Sequence, residues 1–208
     1  MKRIAILISG RGSNMVALSD SIRQGAIPNA EVALVVSDKA DARGIDAARE
    51  RELTTLVFER RGRKREEHEN EIIKALCEHS IDLVCLAGYM RLLSPNFIAA
   101  FAGKILNIHP SLLPSFPGLD AQQQALAHGV KWTGCTVHFV DDTLDGGPII
   151  AQRIVPVLDQ DSVETLSARI LEQEHQLYSE AVALVLQNKF ALNGRRVVGT
   201  AVPATSGQ

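Results

Sequence analysis

Cysteine is scarce in this 208-residue sequence: Cys77, Cys85 and Cys135 are the only three. An odd number with no metal-ligand spacing excludes a disulfide scaffold and a cysteine-rich metal site. It reads as reduced thiols in a cytoplasmic protein. Long apolar runs are missing too, and nothing approaches the roughly 18 residues of a membrane span. The apolar start from Ile4 to Ile8 is too short for a signal peptide. It ends in Ser9-Gly10-Arg11-Gly12 instead of a small-residue cleavage site, and reads as a buried strand. A basic surplus is absent as well: 22 Lys and Arg stand against 24 Asp and Glu, a net charge of −2. That balance argues against a dedicated nucleic-acid binder and leaves room for a small anionic ligand held by a few groups. No repeat and no Pro/Gly/Ser-rich linker divides the chain. At roughly 150 residues per domain, one sizeable domain is expected. What is present is ordinary globular composition, 46% hydrophobic and 22% charged, which excludes a wholly disordered chain.

In the first half, short apolar runs at 4–8, 32–36, 53–58, 83–87 and 105–108 alternate with helical patterns at 14–24, 42–51, 64–79 and 95–101. Strands apolar on both faces and separated by helices predict βαβ units and a parallel sheet. The second half differs. Runs at 132–140 and 148–157 are joined by only residues 141–147, too few for a helical crossover, so they should pair antiparallel. A long helix is predicted from near Asp161, with Glu164 completing a capping box. Its apolar stripe is Val163, Leu166, Ile170, Leu177, Ala181 and Leu184. Asn193-Gly194 predicts a two-residue hairpin turn. The expected fold is an open, mostly parallel, Rossmann-like α/β sheet flanked by helices, with an antiparallel C-terminal extension.

Chemistry concentrates at strand ends. Ser9-Gly10-Arg11-Gly12-Ser13-Asn14 follows the first strand and opens a helix, where glycines allow close backbone approach and helix N–H groups attract phosphate. Met15 stands where a dinucleotide fingerprint needs its third glycine, so one phosphate is favoured over a pyrophosphate. Ser13 is a candidate cap. Asn107 and His109 lie two apart in a strand and share a face, an amide donor and an ionisable donor suited to a developing oxyanion. Asp145, in the turn Leu144-Asp145-Gly146-Gly147-Pro148, is placed to favour the protonated form of His109. His138 is a rival histidine without a polar partner at the same spacing and reads as structural. Tyr89, Met90 and Leu92 suggest an apolar wall for a flat organic group, and Leu93 can staple against Ile98 beside the Ser94 cap. Glu174 falls within the apolar stripe, about 40° from Ile170. Either the stripe has reached a polar cleft, or an internal Arg or Lys pairs with the carboxylate.

Ser9–Asn14, residues 86–93, 107–114 and 144–148 together resemble the folate-dependent formyltransferases, over residues 1 to about 192. The resemblance implies transfer of a formyl group from 10-formyltetrahydrofolate to the amine of a glycinamide ribonucleotide in purine (IMP) synthesis. Asn107, His109 and Asp145 would be catalytic. Gly12, Ser13, Asn14, Gly88 and Glu174 would take the ribonucleotide. Arg65, Met90, Arg91, Leu92, Leu93, Asn107, Asp141 and Asp142 would hold the folate. No metal is implied, and the partners would be these small molecules, with no nucleic acid or membrane, acting on a monomer or homodimer. Asp120, Gln122 and Leu171 depart from the family's pattern near the substrate phosphate.

Residues 1–198 would form one domain, with a phosphate-binding half at 1–103, a catalytic and folate-binding half at 104–198, and a flexible tail at 199–208. A formyltransferase acting on tRNA would need a further domain, and so would a formyltetrahydrofolate deformylase; the chain's extent suits neither. The deformylase remains the closest rival reading. An NAD-dependent oxidoreductase using Asp38 is the more distant one, weakened by Met15 and by the 26 residues from Gly12 to Asp38.

Overall fold

The computed structural model describes residues 1–199. The elements run β1 (Lys2–Ile8), α1 (Ser13–Arg23), β2 (Ala30–Ser37), α2 (Arg43–Arg49), β3 (Thr55–Val57), α3 (Arg65–Glu78), β4 (Leu83–Leu86), α4 (Pro95–Ala100) and β5 (Ile105–His109). There follow α5 (Ala121–His128), β6 (Trp132–Phe139), β7 (Ile149–Pro156), α6 (Val163–Leu186), β8 (Phe190–Asn193) and β9 (Arg196–Gly199). All nine strands form one sheet in the order β3-β2-β1-β4-β5-β6-β7-β9-β8. The first five are parallel, and β5, β6 and β7 pair antiparallel.

Strand β1 shows why the parallel part holds. Ile4, Ile6 and Ile8 enter one core with Met15, Leu18, Ile45 and Leu177, while Ala5 and Leu7 enter the other with Ile72, Leu76 and Phe97. Alternate residues thus bury against α1, α2 and α6 on one face and α3 and α4 on the other. A two-faced strand of this kind has no polar side to give away. The chain leaves β1 toward β2 on one side and later returns to β4 on the other. That reversal opens a crevice at the carboxyl ends of β1 and β4.

Several local expectations are corrected. Helix α5 was not expected: it buries only Ala121 and Ala125, and two alanines give too weak a stripe to read as periodic. Gly12 is the N-cap of α1, in the left-handed region, and Ser13 is the first helical residue. The capping box of α6 is Ser162 with Thr165, one residue later than Asp161 with Glu164. In the last hairpin Asn193 pairs with Arg196, so the turn is Gly194-Arg195. Residues 200–208, nearly all of the expected tail, lie outside the described residues. Among those described, no helix is long and apolar enough to cross a membrane.

Candidate active site

A cleft of about 750 Å³ lies at the carboxyl ends of β1, β4 and β5. Gly12, Ser13, Asn14, Gly88 and Glu174, the expected ribonucleotide set, all line it. The first-turn N–H groups of α1 have no intrahelical partner and supply partial positive charge at this end. Gly12 is obligatory there for two reasons. Its φ is +74°, and a Cβ would lie 2.7 Å from the Gly44 Cα. The loop is thus pressed against α2, with the Gly44 N–H donating to the Gly10 carbonyl at 3.0 Å.

Glu174 settles the choice left open by its place in the stripe. It is buried, it faces the cleft, and its partner is neither Arg nor Lys: Asn14 Nδ2 donates to Glu174 Oε2 at 2.8 Å. Burial raises the carboxyl above its usual value, and the Asn14 hydrogen bond pulls in the other direction. Asn14 Oδ1 is buried without a partner among the described residues. Gln122, one of the departures from the family's pattern, lines the cleft, and so do Arg11, Lys39 and Ser167, which were not singled out for it from sequence. Nothing in their local pattern distinguishes them; the fold brings them together. Leu171 lines it as well, an apolar side chain at the polar end.

The second cluster sits at the end of β5, where the cleft wall includes Ile108 and Pro110 on either side of His109. His109 is buried, with Nδ1 3.4 Å from Asp145 Oδ2 and Nε2 2.8 Å from the Phe116 carbonyl. Both ring nitrogens therefore face acceptors. The Phe116 carbonyl only accepts, so Nε2 donates to it. Asp145 Oδ2 also accepts from the Gly118 N–H at 2.8 Å. The turn that carries Asp145 folds back on β6: a Cβ on Gly147 would fall 1.9 Å from the Phe139 carbonyl oxygen. That close approach is what the second glycine of Asp-Gly-Gly provides.

His138, read from sequence as structural, has its polar partner across the sheet. It stands opposite Asn107 across the β5–β6 pair, with Nε2 3.2 Å from Asn107 Nδ2 and 3.8 Å from Asp145 Oδ1. Its Nδ1 lies 2.8 Å from the Phe139 carbonyl, which only accepts, so Nδ1 carries the proton and Nε2 accepts from the amide. Burial lowers the tendency of this ring to protonate, in keeping with that tautomer. One N–H of Asn107 is fixed by His138 and the other is left over. Cross-strand register was the missing signal, because residues 107 and 138 are adjacent only once β5 and β6 are paired.

Of the expected folate residues, only Met90 lines the cleft. Met90 and Leu92 are exposed apolar side chains, each 64% accessible, and Leu144 is 56% accessible. Tyr89 and Leu93 are not part of that wall; both side chains are buried in the core with Phe97, where Leu93 joins Ile98. Arg65 Nη2 donates to the Leu93 carbonyl at 3.0 Å, and Arg91 Nε donates to Asp38 Oδ2 at 2.5 Å. Asp141 accepts from the Thr143 N–H at 2.9 Å, and Asp142 is exposed.

The family described as Formyl transferase matches residues 2–182. The chain belongs to the formyl transferase family. A phosphoribosylglycinamide formyltransferase from Haemophilus influenzae is 43% identical over 193 residues, 92% of this chain and 91% of that protein. The human trifunctional purine biosynthetic protein adenosine-3 is 48% identical over 198 residues, 93% of this chain; the chain spans only 19% of that protein. The crystal structure of glycinamide ribonucleotide transformylase 1 from Symbiobacterium toebii superposes with a TM-score of 0.93 at 50% identity, covering 96% of this chain and 94% of that one. A formyltetrahydrofolate deformylase from Pseudomonas syringae superposes at 0.89 but with 26% identity, covering 95% of this chain and 65% of that one. Family membership sets aside the oxidoreductase reading, and the Asp38 carboxylate that it needed is taken by Arg91.

Proposed function

We propose that the chain transfers the formyl group of 10-formyltetrahydrofolate to the amine of 5-phosphoribosylglycinamide, a step of purine biosynthesis carried out in the cytoplasm. The observation that carries this reading is the convergence of Asn107, His109 and Asp145 around His138, next to Ile108 and Pro110, which line the same cleft as the glycine loop. In this reading the phosphate meets the N–H groups of Gly12, Ser13 and Asn14. The ribose hydroxyls donate to Glu174. Gly88 lets the sugar approach the backbone after β4.

The expected folate residues suit a flat, partly charged co-substrate. Met90 and Leu92 offer exposed apolar surface, while Arg65 and Arg91 would supply positive charge and the backbone at Leu93, Asp141 and Asp142 polar groups. The amine attacks the formyl carbon, a C–N bond forms, and the carbonyl electrons move onto oxygen. Asn107 and His109 donate to that oxyanion. For His109 to do so, its Nε2–H leaves the Phe116 carbonyl. The intermediate collapses as the bond to the folate nitrogen breaks; a proton passes to that nitrogen, and the attacking amine loses one. Asp145, 3.4 Å from Nδ1, orients the His109 ring and assists these transfers through water. No covalent enzyme intermediate is required.

The test is turnover of purified chain with both substrates, the folate product being followed by absorbance. Turnover that depends on the ribonucleotide amine is expected. Its absence overturns the assignment, and equal turnover without the ribonucleotide supports the deformylase.

A further inference from the structure

The loop from Gly88 to Leu93 is anchored at three points. The Met90 N–H donates to Ser9 Oγ at 2.9 Å, Arg65 holds the Leu93 carbonyl, and Arg91 is held by Asp38. The first two anchors come from elements that flank the loop. The third comes from the far side of β1, from the residue that follows β2.

Asp38 is fixed before Arg91 reaches it. The hydroxyl of Ser37 accepts from the Lys39 N–H at 3.0 Å and donates to the Lys39 carbonyl at 2.8 Å, while the Ser37 carbonyl accepts from the Phe58 N–H at 2.9 Å. The backbone on both sides of Asp38 is thereby set. The carboxylate is almost wholly buried, its side chain 2% accessible, whereas that of Arg91 is 32% accessible. Oδ1 has no partner among the described residues, so Arg91 supplies the side-chain contact that compensates a buried negative charge. A buried charge held this way directs its partner, because no cheaper arrangement is open to it.

We infer that Asp38 is a positioning residue for the folate rim: it orients Arg91 and, through it, fixes the loop that carries Met90 and Leu92. This rests on the proposed function for the nature of the ligand, a flat pteridine carrying carboxylates. The contact itself stands on geometry alone. The inference concerns one substrate only. The neighbouring Lys39 lines the ribonucleotide cleft, but Asp38 does not.

The experiment uses the full chain and three variants, Asp38→Ala, Asp38→Asn and Arg91→Ala. Initial rates with both substrates varied should show Asp38→Ala raising KM for 10-formyltetrahydrofolate about tenfold, the low end for losing a hydrogen bond to a charged group. kcat and KM for the ribonucleotide should stay within about twofold, and Asp38→Asn, which keeps an acceptor, should recover part of the loss. The double variant Asp38→Ala/Arg91→Ala should be no worse for folate than Arg91→Ala. Equal rises in both KM values, or an unchanged folate KM, overturn the inference.

A second readout is independent of turnover. Amide hydrogen exchange in the ligand-free chain should quicken at residues 89–93 in Asp38→Ala and remain unchanged at residues 12–14. Unchanged exchange at 89–93 overturns the positioning role whether or not the chain transfers formyl groups. A wild-type chain without folate-dependent turnover counts against the proposed function and leaves this second result to decide for Asp38.

Discussion

The two ends of the cleft are built from different materials. At the glycine loop the groups proposed to meet a ligand are mainly main-chain N–H groups, placed by the meeting of Gly12 and Gly44 and by the start of α1. At the end of β5 they are side chains, each held by another: Asn107 by His138, His109 by Asp145, and Asp145 by the Gly118 N–H. A backbone site is broken by adding a Cβ and is indifferent to many side-chain changes around it. Of the departures from the family's pattern, Gln122 and Leu171 line the cleft. A side-chain site is broken by changing one functional group while the fold stays intact.

The strongest way to sharpen this contrast is His109→Ala. It removes an oxyanion donor and a proton donor together, so kcat should fall by about 10³-fold or more, with both KM values within a few-fold. Steady-state kinetics decide it, and an unimpaired kcat removes His109 from the mechanism. Asp145→Asn comes next. The amide oxygen can still accept from Gly118 but has no charge to offer His109, so kcat should fall by about 10²-fold. Ribonucleotide affinity, measured by calorimetry, should barely change; loss of binding with kcat retained contradicts the assigned role.

The two ends also differed in how much of them could be read from sequence. Gly12 and Asn14 announce themselves locally, because a glycine turn between an apolar strand and a helix is a short-range pattern. Asn107 and His109 are local too, two apart on one strand. Glu174 stood out as a charge inside an apolar stripe, but its partner Asn14 is 160 residues away in the chain and only the packing of α1 on α6 reveals it. His138 was undervalued for the same reason, since its partner lies across a strand pair. Arg91 was expected at the folate rim, but its anchor Asp38 was first weighed as a ribose ligand, which shows how little a lone acidic residue discloses before its neighbour is known. The parallel half of the sheet was legible because its strands are apolar on both faces. Helix α5 was not, because two buried alanines carry almost no period.

At the backbone end the corresponding probe is Gly12→Ala. The new Cβ would occupy a left-handed position and overlap Gly44 backbone that has nowhere to move. A cost of about 1–3 kcal/mol is expected from the conformation alone, read as a lower urea midpoint. Catalytically the change should raise KM for the ribonucleotide while leaving kcat within about tenfold, the reverse of the His109 pattern. If Gly12→Ala instead lowers kcat as steeply as His109→Ala, the division between a binding end and a transfer end fails.

Glu174→Gln gives the smallest effect and tests where the two materials meet, since a side chain there completes a backbone site. Burial raises the Glu174 carboxyl above 4.5, so the folded chain holds this proton more tightly than the unfolded chain does. The unfolded state therefore loses its proton first as pH rises. Wild-type stability falls from about the ordinary carboxylate range up to the raised folded value, and stays lowered above it. Glutamine does not titrate, and its oxygen still accepts from Asn14. Measured by urea denaturation, the stability of Glu174→Gln relative to wild type should thus improve as pH rises above the ordinary carboxylate range, while KM for the ribonucleotide rises. A difference that is flat with pH would mean that the buried carboxylate is solvated from the cleft. A difference that shrinks toward neutral pH would reverse the sign of the linkage and place a compensating cation beside Glu174.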